Sequence, residues 1–117
     1  MTDRDPDCLF CRIVADEIPS DRLHEDDEVI AFRDIAPRAP THVLVIPRRH
    51  IPDAHALTDA DAPMVARLFA VIRRLADEAG LSNGYRVVTN VGPDAGQTVP
   101  HLHLHLLGGR SMSWPPG

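Results

Sequence analysis

Apolar residues return along the chain with two different periods, and the longer period predicts one long helix. Over residues 61–79 they return every three or four positions, which is typical of an amphipathic helix, and Gly80 is well placed to end it. A shorter helix is predicted over about residues 8–16, where Asp7 can act as the N-terminal cap. The proline in the segment Ile18-Pro19-Ser20 would stop it.

Strands are predicted wherever a short apolar run is bounded by residues that favour turns. Such runs occupy residues 28–33, 42–46 and 85–91. Two prolines make residues 34–40 a rigid loop, and the glycines of residues 92–96 turn the chain into one further strand. One long and one short helix among about five strands favour an α+β domain built on an antiparallel sheet. The 117 residues suit a single domain.

The further strand, residues 101–107, alternates three histidines with leucines. Strict alternation predicts that the leucines point into a core and that His101, His103 and His105 share the opposite face. Neighbouring histidines there would lie roughly 6.6 Å apart, within reach of one phosphate-sized group. Such imidazoles can bind metal, move protons or attack phosphorus. A histidine-rich exposed face is the plain alternative, and a purification tag is disfavoured because the segment is internal and spaced by leucines.

Charge and hydropathy narrow the class of partner. The chain is 44% hydrophobic. Its formal net charge of −5 argues against nucleic acid or an anionic membrane as the main partner. No apolar run approaches membrane-spanning length, and the first seven residues lack the apolar core of a signal peptide. We therefore expect a cytoplasmic protein.

Both cysteines lie in one unit, Cys8-Leu9-Phe10-Cys11. In a reducing compartment this unit indicates half of a metal site or a redox pair. A redox motif would normally follow a strand, whereas only residues 1–7, a charged segment expected to be flexible, precede Cys8. A metal half-site needs two more ligands, and the seven histidines offer candidates.

The segment Gly96-Gln97-Thr98-Val99-Pro100 and the three alternating histidines after it resemble the histidine triad (HIT) family. Gly108-Gly109-Arg110 and the ending Trp114-Pro115-Pro116-Gly117 resemble its Hint branch. Further segments follow the family in order, namely Phe10-Cys11-Arg12-Ile13, Glu17-Ile18-Pro19, Glu25-Asp26-Asp27, Ala31-Phe32-Arg33-Asp34-Ile35, Pro40-Thr41-His42 and Val45-Ile46-Pro47. The resemblance covers nearly the whole chain from Asp7 onward. It implies a HIT-like fold whose sheet continues across a homodimer.

The resemblance implies a hydrolase that cleaves the P–N bond of purine nucleoside 5′-phosphoramidates, with an AMP-like nucleotide as ligand. His103 is the implied nucleophile, and its nucleotidyl adduct would then be open to water. The backbone carbonyl of His101 would hold the other ring nitrogen of His103. His105 would contact the phosphoryl oxygens or assist proton transfer to the leaving amine, and His42 would lie behind the triad. No metal is needed for this chemical step.

The family's binding residues carry over position by position. Asp34 would accept both ribose hydroxyls. Contacts around the phosphate and the leaving group would come from Asn90, Gly96, Gln97 and Thr98. The purine would lie among Leu9, Phe10, Ile13, Ile18, Phe32 and Ile35. Trp114 is the only tryptophan, so we expect it to be buried, and the tail of residues 111–117 would bring it to the partner subunit's active site.

With its two cysteines, the chain resembles a zinc-bearing, bacterial-type subset of the family. The implied ligands are Cys8, Cys11, His50 and His101, a set that suits tetrahedral structural zinc. Zinc held by the three triad histidines is the competing arrangement. Three alternate positions on a flat strand would span about 13 Å, which is too far for one ion.

Two other functions stay open from the sequence alone. The segment Gln97-Thr98-Val99 resembles a sister branch that hydrolyses dinucleoside polyphosphates. Gly108-Gly109-Arg110 and the ending that contains Trp114 do not resemble that branch. A nucleotide-sensing or interaction module with incidental catalysis would need the same pocket as a slow hydrolase.

Overall fold

A computed structural model describes residues 4–117, and within them two helices and five strands form the fold. The order is α1 (Leu9–Val14), β1 (Arg22–Glu25), β2 (Val29–Arg33), β3 (Thr41–Pro47), α2 (Ala62–Glu78), β4 (Tyr85–Val88) and β5 (Leu104–Gly108). All strand pairs are antiparallel, in the order β1-β2-β3-β5-β4. The predicted α+β architecture with one antiparallel sheet is therefore confirmed.

Helices cover the two faces of the sheet, so the strands bury alternate residues on opposite sides. In β2, Val29 and Ala31 join the core beneath α2, whereas Ile30 and Phe32 pack with residues of α1. β3 divides in the same way. This double burial explains why β2 and β3 have continuous apolar runs instead of an alternating pattern.

The long helix follows its prediction closely, but the short helix begins differently. Gly80, with a φ of 71°, follows α2 as predicted, because its amide and that of Leu81 bond to carbonyls of the last turn. The predicted cap Asp7 is wrong. Cys8 is the N-terminal cap of α1, and its Sγ accepts a hydrogen bond from the Cys11 amide at 3.3 Å. α1 is only six residues long and ends at Val14.

The histidine segment is only partly a strand, which corrects the prediction of a strand over 101–107. β5 begins at Leu104, since the amide of Leu102 bonds to the carbonyl of Ile51 at 2.6 Å and leaves the ladder. The leucines at 102, 104 and 106 do point into the core beneath α2. The opposite face is not open, because α1 covers it, and His101 and His103 are buried.

Two residues near the ends of the chain, Asp5 and Trp114, have surroundings that the sequence did not predict. Residues 1–3 of the predicted flexible segment lie outside the described residues, whereas Asp5 bonds to α1 through its amide, 3.4 Å from the Sγ of Cys11. Trp114 is 85% exposed, so its predicted burial does not occur within one chain. Arg86 on β4 donates to the carbonyls of Ser113 and Pro116 and keeps the tail beside this edge strand. None of the helices in residues 4–117 is long and apolar enough to cross a membrane.

Candidate active site

A cavity of about 400 Å³ lies between α1, the end of β2 and the histidine segment. Its volume falls within the range of small-molecule sites. Ten predicted site residues line it: Leu9, Phe10, Ile13, Ile18, Phe32, Asp34, Ile35, Thr98, His103 and His105. A larger and more polar depression between residues 80–84 and 109–111 contains no histidine. The smaller cavity is therefore the candidate site, because the reactive groups meet its wall.

Five residues of the cavity wall were not predicted. They are Pro19, Ser20, Arg33, Leu44 and Val99. Leu44 and Arg33 lie on β3 and β2, and their strand periodicity gives no sign that a cavity lies beside them. For Ser20 the sequence predicts only the end of a helix, and Pro19 belongs in addition to the segment Glu17-Ile18-Pro19. Four of these positions, all except Ser20, are adjacent in sequence or in the sheet to a predicted site residue, and this neighbourhood is the signal that the sequence offers.

His103 is held with one ring nitrogen fixed. Its Nδ1 lies 2.7 Å from the carbonyl oxygen of His101, and because a carbonyl only accepts, Nδ1 carries the proton. In the neutral ring the lone pair then belongs to Nε2. Phe10 packs against the ring edge-to-face, with centroids 5.1 Å apart. The ring of His103 is thus held in one orientation, with the lone pair of Nε2 available at the cavity wall.

A chain of hydrogen bonds likewise fixes the ring of His105. The backbone N–H of Arg38 donates to Nδ1 of His42 at 3.0 Å, so the proton of neutral His42 lies on Nε2. That Nε2 lies 2.9 Å from Nδ1 of His105, which must then accept. His105 is left with an N–H at Nε2. Burial, followed by the neighbouring His103 and His42, lowers the pKa of His105 to about 4. His105 is therefore a neutral hydrogen-bond donor near pH 7.

Asp34 lies at the end of β2, where its carboxylate reaches the cavity. Its Oδ1 accepts from the amide of Ala36 at 2.8 Å, and Oδ2 lies 3.4 Å from Nε2 of His42. The ligand atoms of Asp34, His42 and His105 are close enough to suggest a metal site. However, the Arg38 amide keeps the proton of His42 on Nε2, which then has no lone pair for a metal. We interpret this group as a hydrogen-bond network.

A second group of side chains lies behind the histidine segment. The ligand atoms of Cys8, Cys11, His50 and His101 all lie within 4.8 Å of one another. Sγ of Cys8 and Nδ1 of His101 are 3.4 Å apart, and Sγ of Cys11 is 3.2 Å from Nδ1 of His50. Tetrahedral zinc bonds of usual length place sulfur and nitrogen ligands about 3.5 Å apart. These four residues therefore fit a structural zinc ion.

The protonation of His101 suits a metal ligand. Its Nε2 donates to the carbonyl of Pro47 at 2.9 Å, which leaves the lone pair of Nδ1 directed among the thiols. Burial lowers the pKa of His101 to about 4, so the ring is neutral. Burial also raises the pKa of the Cys11 thiol to about 11. A bound cation is what would stabilise the thiolate form at neutral pH.

Not every predicted polar residue reaches the cavity. Of the four predicted around the phosphate and leaving group, only Thr98 lines it. The side-chain amide of Asn90 donates to the carbonyl of Ala95 at 2.8 Å, and Oε1 of Gln97 accepts from the amide of Gly92 at 2.9 Å. Both side chains hold the turn that contains Gly96. The sequence does not reveal these partners, because no local pattern shows which backbone groups need a hydrogen bond.

Comparisons with known proteins find a family model and solved structures that match most of the chain. A family model described as the HIT domain matches residues 15–112. The crystal structure of a HIT family hydrolase from Legionella pneumophila Philadelphia 1 is 49% identical, with a TM-score of 0.93, and the match covers 95% of this chain and 100% of that one. A HIT family hydrolase from Clostridium thermocellum is 43% identical, with a TM-score of 0.90 and coverage of 93% and 96%. An uncharacterized HIT-like protein from Synechococcus elongatus is 49% identical over 111 residues, which are 95% of this chain and 97% of that protein.

Proposed function

The chain belongs to the histidine triad family, and from this premise we propose that it hydrolyses purine nucleoside 5′-phosphoramidates at the P–N bond. One observation carries the proposal. Nε2 of His103 is held as a free nucleophile in the wall of an apolar cavity, beside the neutral N–H donor of His105. Solved relatives are described as hydrolases, which supports the reaction class.

The cavity would bind an AMP-like nucleotide in two parts. The purine would lie between Phe10, Phe32 and the aliphatic residues of the wall, where burial of apolar surface stabilises it. The carboxylate of Asp34, at the opening of this slot, would accept the ribose hydroxyls. These contacts would place the α-phosphorus near His103, which converts the attack into an intramolecular step.

In the chemical step, Nε2 of His103 forms a bond to the α-phosphorus while the P–N bond to the leaving amine breaks. The amine takes its proton from water. Because the ring of His105 is neutral near pH 7, it does not supply the proton of the leaving amine. It donates a hydrogen bond to a phosphoryl oxygen and stabilises the negative charge of that oxygen. Water then adds to phosphorus, the bonding pair returns to Nε2, and AMP leaves with one proton passing to the solvent.

Zinc would be held by Cys8, Cys11, His50 and His101, outside the reacting atoms. When bound, it would cross-link α1, the loop after β3 and the histidine segment, and so contribute folding free energy. The ring of His101 would then ligate the metal, while its backbone carbonyl still accepts the hydrogen bond that orients His103.

The test is intact-mass spectrometry after brief exposure to adenosine 5′-phosphoramidate, with acid quenching at successive times. We expect a transient mass increase of one adenylyl group together with release of the amine. A nucleotide-sensing module would bind AMP without either signal. Faster cleavage of a dinucleoside polyphosphate than of the phosphoramidate would instead assign the protein to the sister activity.

We further propose that the protein is a homodimer whose sheet continues through β4. β4 is an edge strand that carries Tyr85, and α2 carries Phe69; both are large apolar residues left about half exposed. An open strand edge of this kind favours pairing with a second copy. Trp114, exposed on a tail held along this edge, would then contact the partner subunit.

Deleting residues 113–117 should change the preference among leaving amines by roughly tenfold, because the contact of Trp114 with the partner would be lost. AMP affinity and dimer mass should stay nearly constant. Competition between phosphoramidates of different amines measures the first effect, and calorimetry and sedimentation measure the others. Trp114→Ala separates the side chain from the rest of the tail. A monomer at micromolar concentration, or an unchanged amine profile, would contradict the arrangement.

A further inference from the structure

Phe10 connects the metal group, formed by Cys8, Cys11, His50 and His101, with the wall of the proposed nucleotide cavity. It stands between the two cysteines in sequence, within the helix that Cys8 caps. Its ring is 5% exposed and lines the cavity. It packs edge-to-face on Phe32, with centroids 5.5 Å apart, and on His103, with centroids 5.1 Å apart. A movement of the cysteine unit therefore displaces a wall of the cavity and the packing of the nucleophile together.

His101 makes a second connection between the two groups. Its Nδ1 lies 3.4 Å from Sγ of Cys8 and 3.5 Å from Sγ of Cys11. Its carbonyl oxygen receives the hydrogen bond that sets the tautomer of His103, at 2.7 Å. The ring of Phe10 also contacts that of His101, with centroids 5.9 Å apart. The residue that would ligate the metal thus orients the nucleophile through its own backbone.

The helix that carries Phe10 cannot hold its position by itself. With six residues, α1 is far shorter than a helix that is stable in isolation. Its place against the sheet depends on the apolar packing of Phe10, Cys11 and Ile13 and on the cysteine ligands. A metal bound at one end of this packing and a purine bound at the other would order the same short segment. Each would lower the entropic cost of binding the other.

We propose that the metal group and the nucleotide cavity are thermodynamically coupled through Phe10 and His101, so that bound nucleotide tightens the retention of zinc. Linkage requires that bound zinc tighten nucleotide binding by the same factor. The inference rests on the nucleotide site proposed above. It assigns Phe10 as a positioning residue and makes the metal more than a stabiliser of the fold.

The experiment measures the zinc affinity of the zinc-loaded protein by chelator competition, with and without saturating AMP. We expect AMP to tighten zinc binding by about tenfold, within the usual range of allosteric coupling. Calorimetry on the same samples gives the AMP affinity. Zinc affinity that does not change under saturating AMP would overturn the inference while leaving the nucleotide site intact. An absence of AMP binding would overturn both proposals and is recognised by calorimetry alone.

Two variants identify the route of coupling. Phe10→Leu keeps an apolar side chain but removes the ring contacts, so AMP at saturation should tighten zinc binding less than twofold. Ile18→Ala is the matched control, since Ile18 lines the cavity without belonging to the cysteine unit. It should need more AMP for saturation but retain the tenfold effect. If Phe10→Leu kept full coupling, or Ile18→Ala lost it, the assigned route would be wrong.

Discussion

His103→Ala should abolish phosphoramidate turnover, with a loss on the order of 10⁴-fold or more, because no other described group offers a fixed nucleophilic nitrogen to the cavity. The adenylyl adduct should disappear with it. AMP affinity should change little, since the purine wall and Asp34 are untouched. Amine release, intact mass and calorimetry on one preparation measure the three quantities.

The control for this variant is His55→Ala, which removes an exposed histidine far from the triad in sequence. It should leave all three quantities unchanged. If His103→Ala still turned over substrate at near-normal rate, another group would be the nucleophile. If it also lost AMP binding and cooperative unfolding, the variant would report on folding, and His103→Asn would replace it as a more conservative probe.

Cys8→Ser should release zinc and lower the free energy of unfolding by about 3 kcal/mol or more. Cys8 has two roles, as a member of the proposed metal group and as the cap of α1. A serine hydroxyl preserves much of the capping geometry, so the loss should come mainly from the metal. Elemental analysis of protein purified without a histidine tag and denaturant unfolding are the measurements.

Added chelator should lower the unfolding midpoint of the wild-type protein but not that of Cys8→Ser, because the variant has no zinc to lose. His55→Ala should behave as wild type in both assays. A full zinc complement in Cys8→Ser, or a wild-type protein that contains no zinc after purification, would remove the metal group from the scheme.

The sequence predicted the parts of the fold that depend on periodicity. The helix over 61–79 and the strands of the central sheet appear within a few residues of their predicted limits, because their apolar positions repeat with a clear period. The leucines at 102, 104 and 106 enter the core as their alternation indicates, although the ladder begins only at 104. Their two-residue spacing was a sound guide to side-chain direction and a poor guide to strand limits.

Features that depend on tertiary context were not predictable. β1 was not assigned, since an edge strand with the sequence Arg-Leu-His-Glu has only one apolar residue. The cap of α1 is Cys8 and not the predicted Asp7, because the thiol of Cys8 accepts a hydrogen bond from the amide of Cys11. The hydrogen bonds of Asn90 and Gln97 were equally unpredictable, because their partners are backbone groups of a turn whose shape no local pattern specifies.

The strand order has a consequence for how a ligand enters. β3 and β5 are interior strands, so the backbone that supports His42 and His105 should exchange its amide hydrogens only when the whole domain unfolds. The opposite wall rests on the six residues of α1, which should open with a much smaller free energy. Access to the cavity is therefore expected through brief local opening of the N-terminal wall, while the imidazoles of His42 and His105 keep their positions.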